Sequence, residues 1–243
     1  MSDFHVDYTG WIQLKLLTID TSTSTSSVAL TIGERVISEY LLNLEKTLAS
    51  RLLRAVDAVL RETGLAASDL DGIGVALGPG SFTGLRIGAA TAKGLALAAG
   101  KPLVGFSSLA MLAMNLPWCA FPVCPMFDAK KKEVYTALYS CAELPLPVIA
   151  DCAVSPGDFL EKIRGTTVFV GEGALAYRDL IMDRLGDKAL FAPWPAHSPH
   201  ASQGAVLARD AFNRGEHIPA AALAPRYIRA SEAELAKRKK ESI

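Results

Sequence analysis

The turn Gly78-Pro79-Gly80-Ser81 joins an alternating apolar run (Ile73, Val75, Leu77) to a stretch of helical periodicity that starts at Phe82. A buried strand that ends in glycines and passes at once into a helix presents unpaired backbone N–H groups and the positive end of a helix dipole. Such a place suits a phosphate or another anion. Neither common cradle is spelled out: the Gly-Lys-Ser/Thr of a P-loop is missing. Gly78, Gly80 and Gly84 also miss the GxGxxG spacing, because Thr83 stands where the third glycine belongs. A structural tight turn and an anion site both stay open. Asp20, followed by Thr21, Ser22, Thr23, Ser24 and Thr25, offers a carboxylate among hydroxyls that suits a magnesium ion or a nucleotide phosphate. That turn lacks glycine, and Cβ atoms keep backbone away from a phosphate, so an aspartate capping its own hairpin is the favoured reading. The candidate nucleotide or anion set is therefore Asp20, Thr21, Ser22, Gly78, Gly80 and Ser81.

Other chemistries find less support. No Gly-x-Ser-x-Gly elbow occurs, and the four histidines, His5, His197, His200 and His217, fall in predicted loops or tails. His197 and His200 belong to the proline-rich stretch around 193–199, where a metal pair is the alternative to a plain exposed loop. Cys119, Cys124, Cys141 and Cys152 form no CxxC pair and have no histidine beside them, which reads as free thiols in a reducing compartment. Within the helix predicted over 82–99, Gly84, Gly88 and Ala92 fall four residues apart and make a smooth strip. Glycine in a helix costs about 1 kcal/mol relative to alanine, so this strip calls for close approach by another backbone, either the chain's own sheet or a partner helix.

The elements that must position these residues alternate in type. Residues 14–19, 28–32 and 36–42 read as three successive strands, an antiparallel meander. From Thr47, apolar Leu48, Leu52, Val56 and Val59 oppose Arg51, Arg54 and Asp57, which predicts an amphipathic helix to about residue 60, with Gly64 as its stop. A buried strand, the 82–99 helix closed by Gly100, a short strand over 103–106 and a brief helix capped by Ser107 or Ser108 follow. The second part starts over: a strand over 123–127 ending at Asp128, a turn Ala129-Lys130-Lys131-Lys132, and a returning strand over 133–139. A strand over 167–170 then runs through Gly171-Glu172-Gly173 into a helix ending near Arg184, and 202–213 is the last long helix.

At 243 residues the chain fits one large α/β domain or two ordinary ones, and half of it is hydrophobic. Twenty-five basic residues balance twenty-five acidic ones, so any contact with nucleic acid must be local or made by a partner. Residues 1–13 lack a basic start and an apolar core and are expected to be a loose extension, not a signal peptide. No stretch is apolar enough to span a membrane, and a cytoplasmic protein is expected. The basic tail over 231–243, with Lys237, Arg238, Lys239 and Lys240, reads as disordered and solvated.

Several segments together carry a family resemblance: Leu17-Thr-Ile-Asp-Thr-Ser-Thr, Gly78-Pro-Gly-Ser-Phe-Thr-Gly-Leu-Arg-Ile-Gly, Thr91-Ala-Lys-Gly-Leu-Ala, Ser107-Ser-Leu, Asp128-Ala-Lys-Lys-Lys-Glu-Val-Tyr and Pro225-Arg-Tyr-Ile-Arg. From residue 14 to about 229 the chain resembles the TsaB (formerly YeaZ) family of tRNA threonylcarbamoyladenosine biosynthesis. The resemblance implies an actin/Hsp70-like (ASKHA) α/β fold of two similar β-meander-plus-helix halves. Residues 14–106, completed by about 222–230, would form one half and 107–221 the other. It also implies a non-catalytic subunit that supports a TsaD-type catalytic subunit together with a TsaE-type ATPase, and reaches tRNA only through that complex. A homodimer when alone, and ATP or ADP at the interface with the TsaD-type subunit, are left open. TsaD-like relatives hold a metal with a His-x-x-x-His pair after the strand over 103–106; Ser108 and Leu112 stand there, so no such metal site is expected. Since the family pairs helices across the subunit boundary, the resemblance suggests an interface of Arg51, Leu52, Arg54, Ala55, Gly84, Leu85, Gly88 and Ala92. A stand-alone ATPase, an M22-type metallopeptidase-like enzyme, or a kinase on the same fold is the alternative.

Overall fold

The structure, a computed structural model, describes residues 13–43 and 48–229. The expected extension before Gln13, the helix start at Thr47 and the basic tail over 231–243 lie outside the described residues.

The first part of the chain forms β1 (Lys15–Asp20), β2 (Thr25–Ile32), β3 (Arg35–Asn43), α1 (Leu48–Glu62), β4 (Gly72–Ala76), α2 (Phe82–Ala99), β5 (Leu103–Phe106) and α3 (Ser108–Ala113). The second part repeats the order with β6 (Val123–Asp128), β7 (Val134–Cys141), β8 (Pro145–Val154), α4 (Pro156–Leu160) and β9 (Thr167–Val170). It continues through a broken helix, α5 (Glu172–Ala176) and α6 (Arg178–Leu185), into β10 (Ala189–Phe191) and α7 (Ala201–Asn213). The sheets have matching orders, β3-β2-β1-β4-β5 and β8-β7-β6-β9-β10, each an antiparallel meander extended by two parallel strands. The two halves thus repeat one α/β arrangement, as the resemblance to an actin/Hsp70-like fold implies.

Local chemistry explains the elements. β1 and β4 are apolar and buried because helices cover both faces of the sheet, whereas the edge strand β3 is largely exposed. Leu52, Ala55, Val56 and Val59 of α1 recur at helical spacing and pack on the sheet beside Ala89, Ala92 and Ala96 of α2. Ser81 caps α2 by accepting the Gly84 N–H, and Gly100, at φ 66°, ends it in the left-handed conformation that glycine adopts without strain.

The last helix of each half crosses to the other. Leu109, Leu112 and Ala113 of α3 pack with Val123, Phe127 and Ala137 of the second sheet. Ala208 and Ala211 of α7 pack with Leu16, Ala76, Val104 and Phe106 of the first, and Thr18 Oγ1 donates to Ala201 O at 2.8 Å. The assignment of all of 107–221 to the second half is thus corrected: α7 belongs to the first sheet. An apolar helix face shows that something covers it, not which sheet does. β8, α4 and β10 were not anticipated; Pro145 and Pro147 argue against a strand, and β8 tolerates them because it is an edge. No helix among the described residues is long and apolar enough to cross a membrane.

Candidate functional site

The parallel register of β1 with β4 brings the end of β1 beside the glycine turn, and the two turns interlock. The Ser81 N–H donates to Ser22 O at 2.6 Å, and Thr21 Oγ1 donates to Gly84 O at 2.8 Å. A Cβ on Gly80 would lie 2.2 Å from Ser22 O, and one on Gly78 would lie 2.9 Å from Arg226 O. Gly78 O also accepts the Ser108 N–H at 3.0 Å. Asp20, Thr21, Ser22, Gly78, Gly80 and Ser81 therefore do come together, but as a junction in which donors at the head of α2 are already engaged within the chain.

Asp20 is fully buried. Its Oδ1 accepts the Ser22 N–H at 3.1 Å, as a hairpin-capping aspartate does. Its Oδ2, with the hydroxyls of Ser22 and Ser108, is buried without a hydrogen bond of ordinary geometry to any described residue. Burial pushes the Asp20 carboxyl up to about 6, with the hydroxyl and N–H of Ser22 and the N–H of Thr21 pulling the other way.

Between the halves, in front of this junction, lies a cleft of about 700 Å³. Ser22, Gly80, Ser81 and Phe82 line it from the first half, and Asp128, Lys130, Lys131, Tyr135 and Glu172 from the second. A returning segment, Arg226 to Arg229, crosses its mouth and binds both sides. The Arg226 N–H donates to Leu77 O at 2.7 Å; Arg86 Nε donates to the Tyr227 hydroxyl at 2.9 Å; Arg229 Nη1 meets Glu133 Oε2 at 2.6 Å. The Arg86 guanidinium also sits 3.8 Å over the Phe82 ring, whose centroid is 4.9 Å from that of Tyr227.

The β6–β7 turn is strained. Lys130, Lys131 and Lys132 have φ of 61°, 54° and 64°, three consecutive left-handed residues, each costing about 1–2 kcal/mol for a side chain other than glycine. Asp128 steadies the turn: Oδ1 accepts the Lys130 N–H and Oδ2 meets Lys130 Nζ, both at 2.8 Å. Burial pushes the Asp128 carboxyl upward, but the Lys130 ammonium and N–H outweigh it and hold it below the usual range, while burial raises Glu172. Lys130, Lys131, Arg226 and Arg229 line this cleft together with Asp128 and Glu172, and Glu133 holds Arg229 from the residue before β7. Asp128-Ala-Lys-Lys-Lys-Glu-Val-Tyr and Pro225-Arg-Tyr-Ile-Arg, two of the segments that carry the family resemblance, meet at this cleft. Their joint charge was the available signal.

The proposed interface strip requires correction. A Cβ on Gly84 would lie 2.1 Å from Thr21 O, and one on Gly88 2.3 Å from Thr21 Oγ1, so the strip faces the chain's own first turn. Leu85, Ala92, Leu52 and Ala55 are likewise buried in the chain's own interior, leaving only Arg51 and Arg54 of that set exposed. The opposite side of α2 is open: no atom lies within 4 Å of a Cβ built on Gly94. The histidine stretch is not a plain exposed loop. His197 Nδ1 accepts the Gly171 N–H and Nε2 faces Ala192 O, both at 3.0 Å, while His200 Nδ1 lies 3.4 Å from Glu39. These contacts join the loop to the two sheets. Ser108 and Leu112 are both fully buried, Leu112 within the core of the second half.

Against this geometry stand the comparisons. A family model described as "TsaD: tRNA N6-adenosine threonylcarbamoyltransferase" matches residues 36–237. The TsaB protein of Bacillus subtilis, a tRNA threonylcarbamoyladenosine biosynthesis protein, is 36% identical over 225 residues, covering 91% of this chain and 96% of that protein. The TsaB protein of Haemophilus influenzae is 30% identical over 89% of this chain and 94% of its own length. The crystal structure of a Pseudomonas aeruginosa protein described as similar to peptidase YeaZ superposes with a TM-score of 0.76 at 31% identity, over 89% of this chain and 100% of that one. With such identity along nearly the whole length of its relatives, the chain belongs to the TsaB family.

Proposed function

We propose that this chain is a non-catalytic scaffold in tRNA threonylcarbamoyladenosine synthesis, pairing with a TsaD-type catalytic subunit and, through that pair, with a TsaE-type ATPase in the cytoplasm. Membership of a family whose relatives are named for this biosynthesis supports the coarser part. The observation that carries the finer part is the packing of α3: where the catalytic homologues place a histidine pair, Leu112 is fully buried in the core of the second half and Ser108 is buried beside it. An alkyl side chain built into the core cannot bind a metal. ATP or ADP belongs, on this reading, at the interface with the TsaD-type subunit.

The pairing surface we assign is the outer side of α1 and α2, where Leu53 is 54% and Leu97 72% exposed, Gly94 leaves the helix surface flat, and Arg51 and Arg54 stand nearby. The same surface would serve a homodimer when the chain is alone. Gly94→Leu tests the assignment. Removing a helical glycine adds about 1 kcal/mol of helix propensity, so the variant should melt at or above the wild-type temperature, yet fail to co-elute with a TsaD-type partner. Undiminished co-elution would place the pairing surface elsewhere.

A further inference from the structure

All four cysteines are free thiols, and two of them meet where α3 hands the chain on to β6. Cys141 ends β7 with its thiol buried in the core of the second half, its Sγ 3.8 Å from Ala113 O. Cys119 belongs to the link between α3 and β6, packs against that same core and stays half-exposed. Backbone geometry sets the two side by side. Val123 pairs with Tyr139 in the antiparallel β6–β7 ladder, and the chain before it meets the end of β7 again at Trp118, whose N–H donates to Ala142 O at 3.3 Å. One residue inward from that bond on either side stand Cys119 and Cys141, while Ala120 and Phe121 loop out to solvent. In antiparallel chains the pair beside such a bond carries its side chains at closest approach. Its Cα atoms lie about 4.5–5.5 Å apart, which a disulfide spans without distortion.

Trp118 helps to aim the thiol. Its φ of 57° is left-handed, a conformation that side chains disfavour; the turn sends the indole out to solvent and leaves the next residue, Cys119, against the core. The other two thiols provide a contrast. Cys124 Sγ lies 3.3 Å from Thr136 Oγ1, and Cys152 stands opposite Thr136 on the far side of β7. With a whole strand between them, two spacings of about 4.8 Å keep them farther apart than a disulfide reaches.

We propose that Cys119 and Cys141 are an oxidant-responsive thiol pair, which a peroxide converts into an intramolecular disulfide tying the α3–β6 link to β7. The sulfur of Cys119, the more reachable thiol, attacks the peroxide: the O–O bond breaks, Cys119 becomes a sulfenic acid and one water departs. The sulfur of Cys141 then attacks that of Cys119. The S–S bond forms, the S–O bond breaks, and the hydroxyl leaves with the Cys141 proton as a second water. Two electrons pass in all from the thiol pair to one peroxide, and a reducing dithiol returns them by exchange. Burial pushes the Cys141 thiol up to about 11, so it waits as the protonated thiol and Cys119 reacts first.

The test treats the full chain with hydrogen peroxide, alkylates it with N-ethylmaleimide and counts labelled thiols by mass spectrometry. The wild type should fall from four labelled thiols to two, run as a single chain on a non-reducing denaturing gel, and recover all four after dithiothreitol. Cys124→Ser and Cys152→Ser should still lose two, whereas Cys119→Ser, a change at a half-exposed site, should lose none. Chymotrypsin reads the tie itself, because Trp118 and Phe121 are exposed cutting sites. The oxidised protein should be cut there about tenfold more slowly, since the disulfide suppresses the local opening a protease needs. Four labelled thiols after treatment, a loss of two in Cys119→Ser, a covalent dimer, or Cys119 carried on to the sulfinic acid with Cys141 still labelled would each overturn the proposal. Equal cutting of the oxidised and reduced chains would overturn it as well, by showing that no tie holds the link.

Discussion

The glycines of α2 allow a graded experiment, because three sites in one helix differ only in what faces them. Alanine at each gains about 1 kcal/mol of helix propensity. At Gly94 nothing opposes that gain, so Gly94→Ala should raise the melting temperature by about 2–4 °C for a chain of this size. At Gly88 the new methyl would meet Thr21 Oγ1 at 2.3 Å; overpacking of about 1–3 kcal/mol cancels or exceeds the gain, and a small loss is expected. At Gly84 the obstacle is backbone, Thr21 O at 2.1 Å. To relieve it the first turn must shift, which disturbs the buried bond from Thr21 Oγ1 to Gly84 O and the one from Ser81 N–H to Ser22 O. Each buried group left unpaired costs about 1–3 kcal/mol, so a net loss of about 2–4 kcal/mol follows, or roughly 5–15 °C. The assay is thermal unfolding by circular dichroism of the three variants. The reasoning fails if Gly84→Ala melts with the wild type, or if Gly94→Ala is the least stable of the three.

Asp20 should leave a signature in the pH dependence of stability. Its carboxyl is raised from 3.8 to about 6 in the folded protein, so between these values the folded state holds a proton that the unfolded chain has released, and stability falls as pH rises, by about 3 kcal/mol in all. Asp20→Asn should flatten that decline and stabilise the protein more at about pH 7.5 than at about pH 4.5 in urea melts; parallel profiles for variant and wild type would show that the carboxyl is not the source. ATP alone should bind the isolated chain weakly, because Ser22 O already takes the Ser81 N–H and lies where a side chain on Gly80 would be. Saturable heat at micromolar ATP in calorimetry would contradict this.

Where a boundary is set by local chemistry, the sequence was readable. Ser81 and Gly100 delimit α2, and Asp20 and Asp128 end β1 and β6, because capping and glycine backbone freedom act within a few residues. Direction across space was not. Gly84 and Gly88 have the same spacing whether they face a partner helix or Thr21, and only the packed chain decides. The histidines near residue 200 read as exposed because nothing local announces that Gly171, Ala192 and Glu39 will meet them. The cleft rim was hidden for a related reason: its cations come from segments nearly a hundred residues apart, and lysine carries no signal for left-handed backbone.

The exchanged helices bear on how the chain matures during synthesis. The first sheet is complete in sequence at Phe106, yet the face formed by Leu16, Ala76, Val104 and Phe106 is covered in part by α7, which starts only at Ala201. Roughly 95 further residues, ~5–20 s at ordinary elongation rates, separate the two. For that interval an apolar sheet surface emerges from the ribosome without its lid, and the nascent first half is a natural client for a chaperone until the last helix arrives.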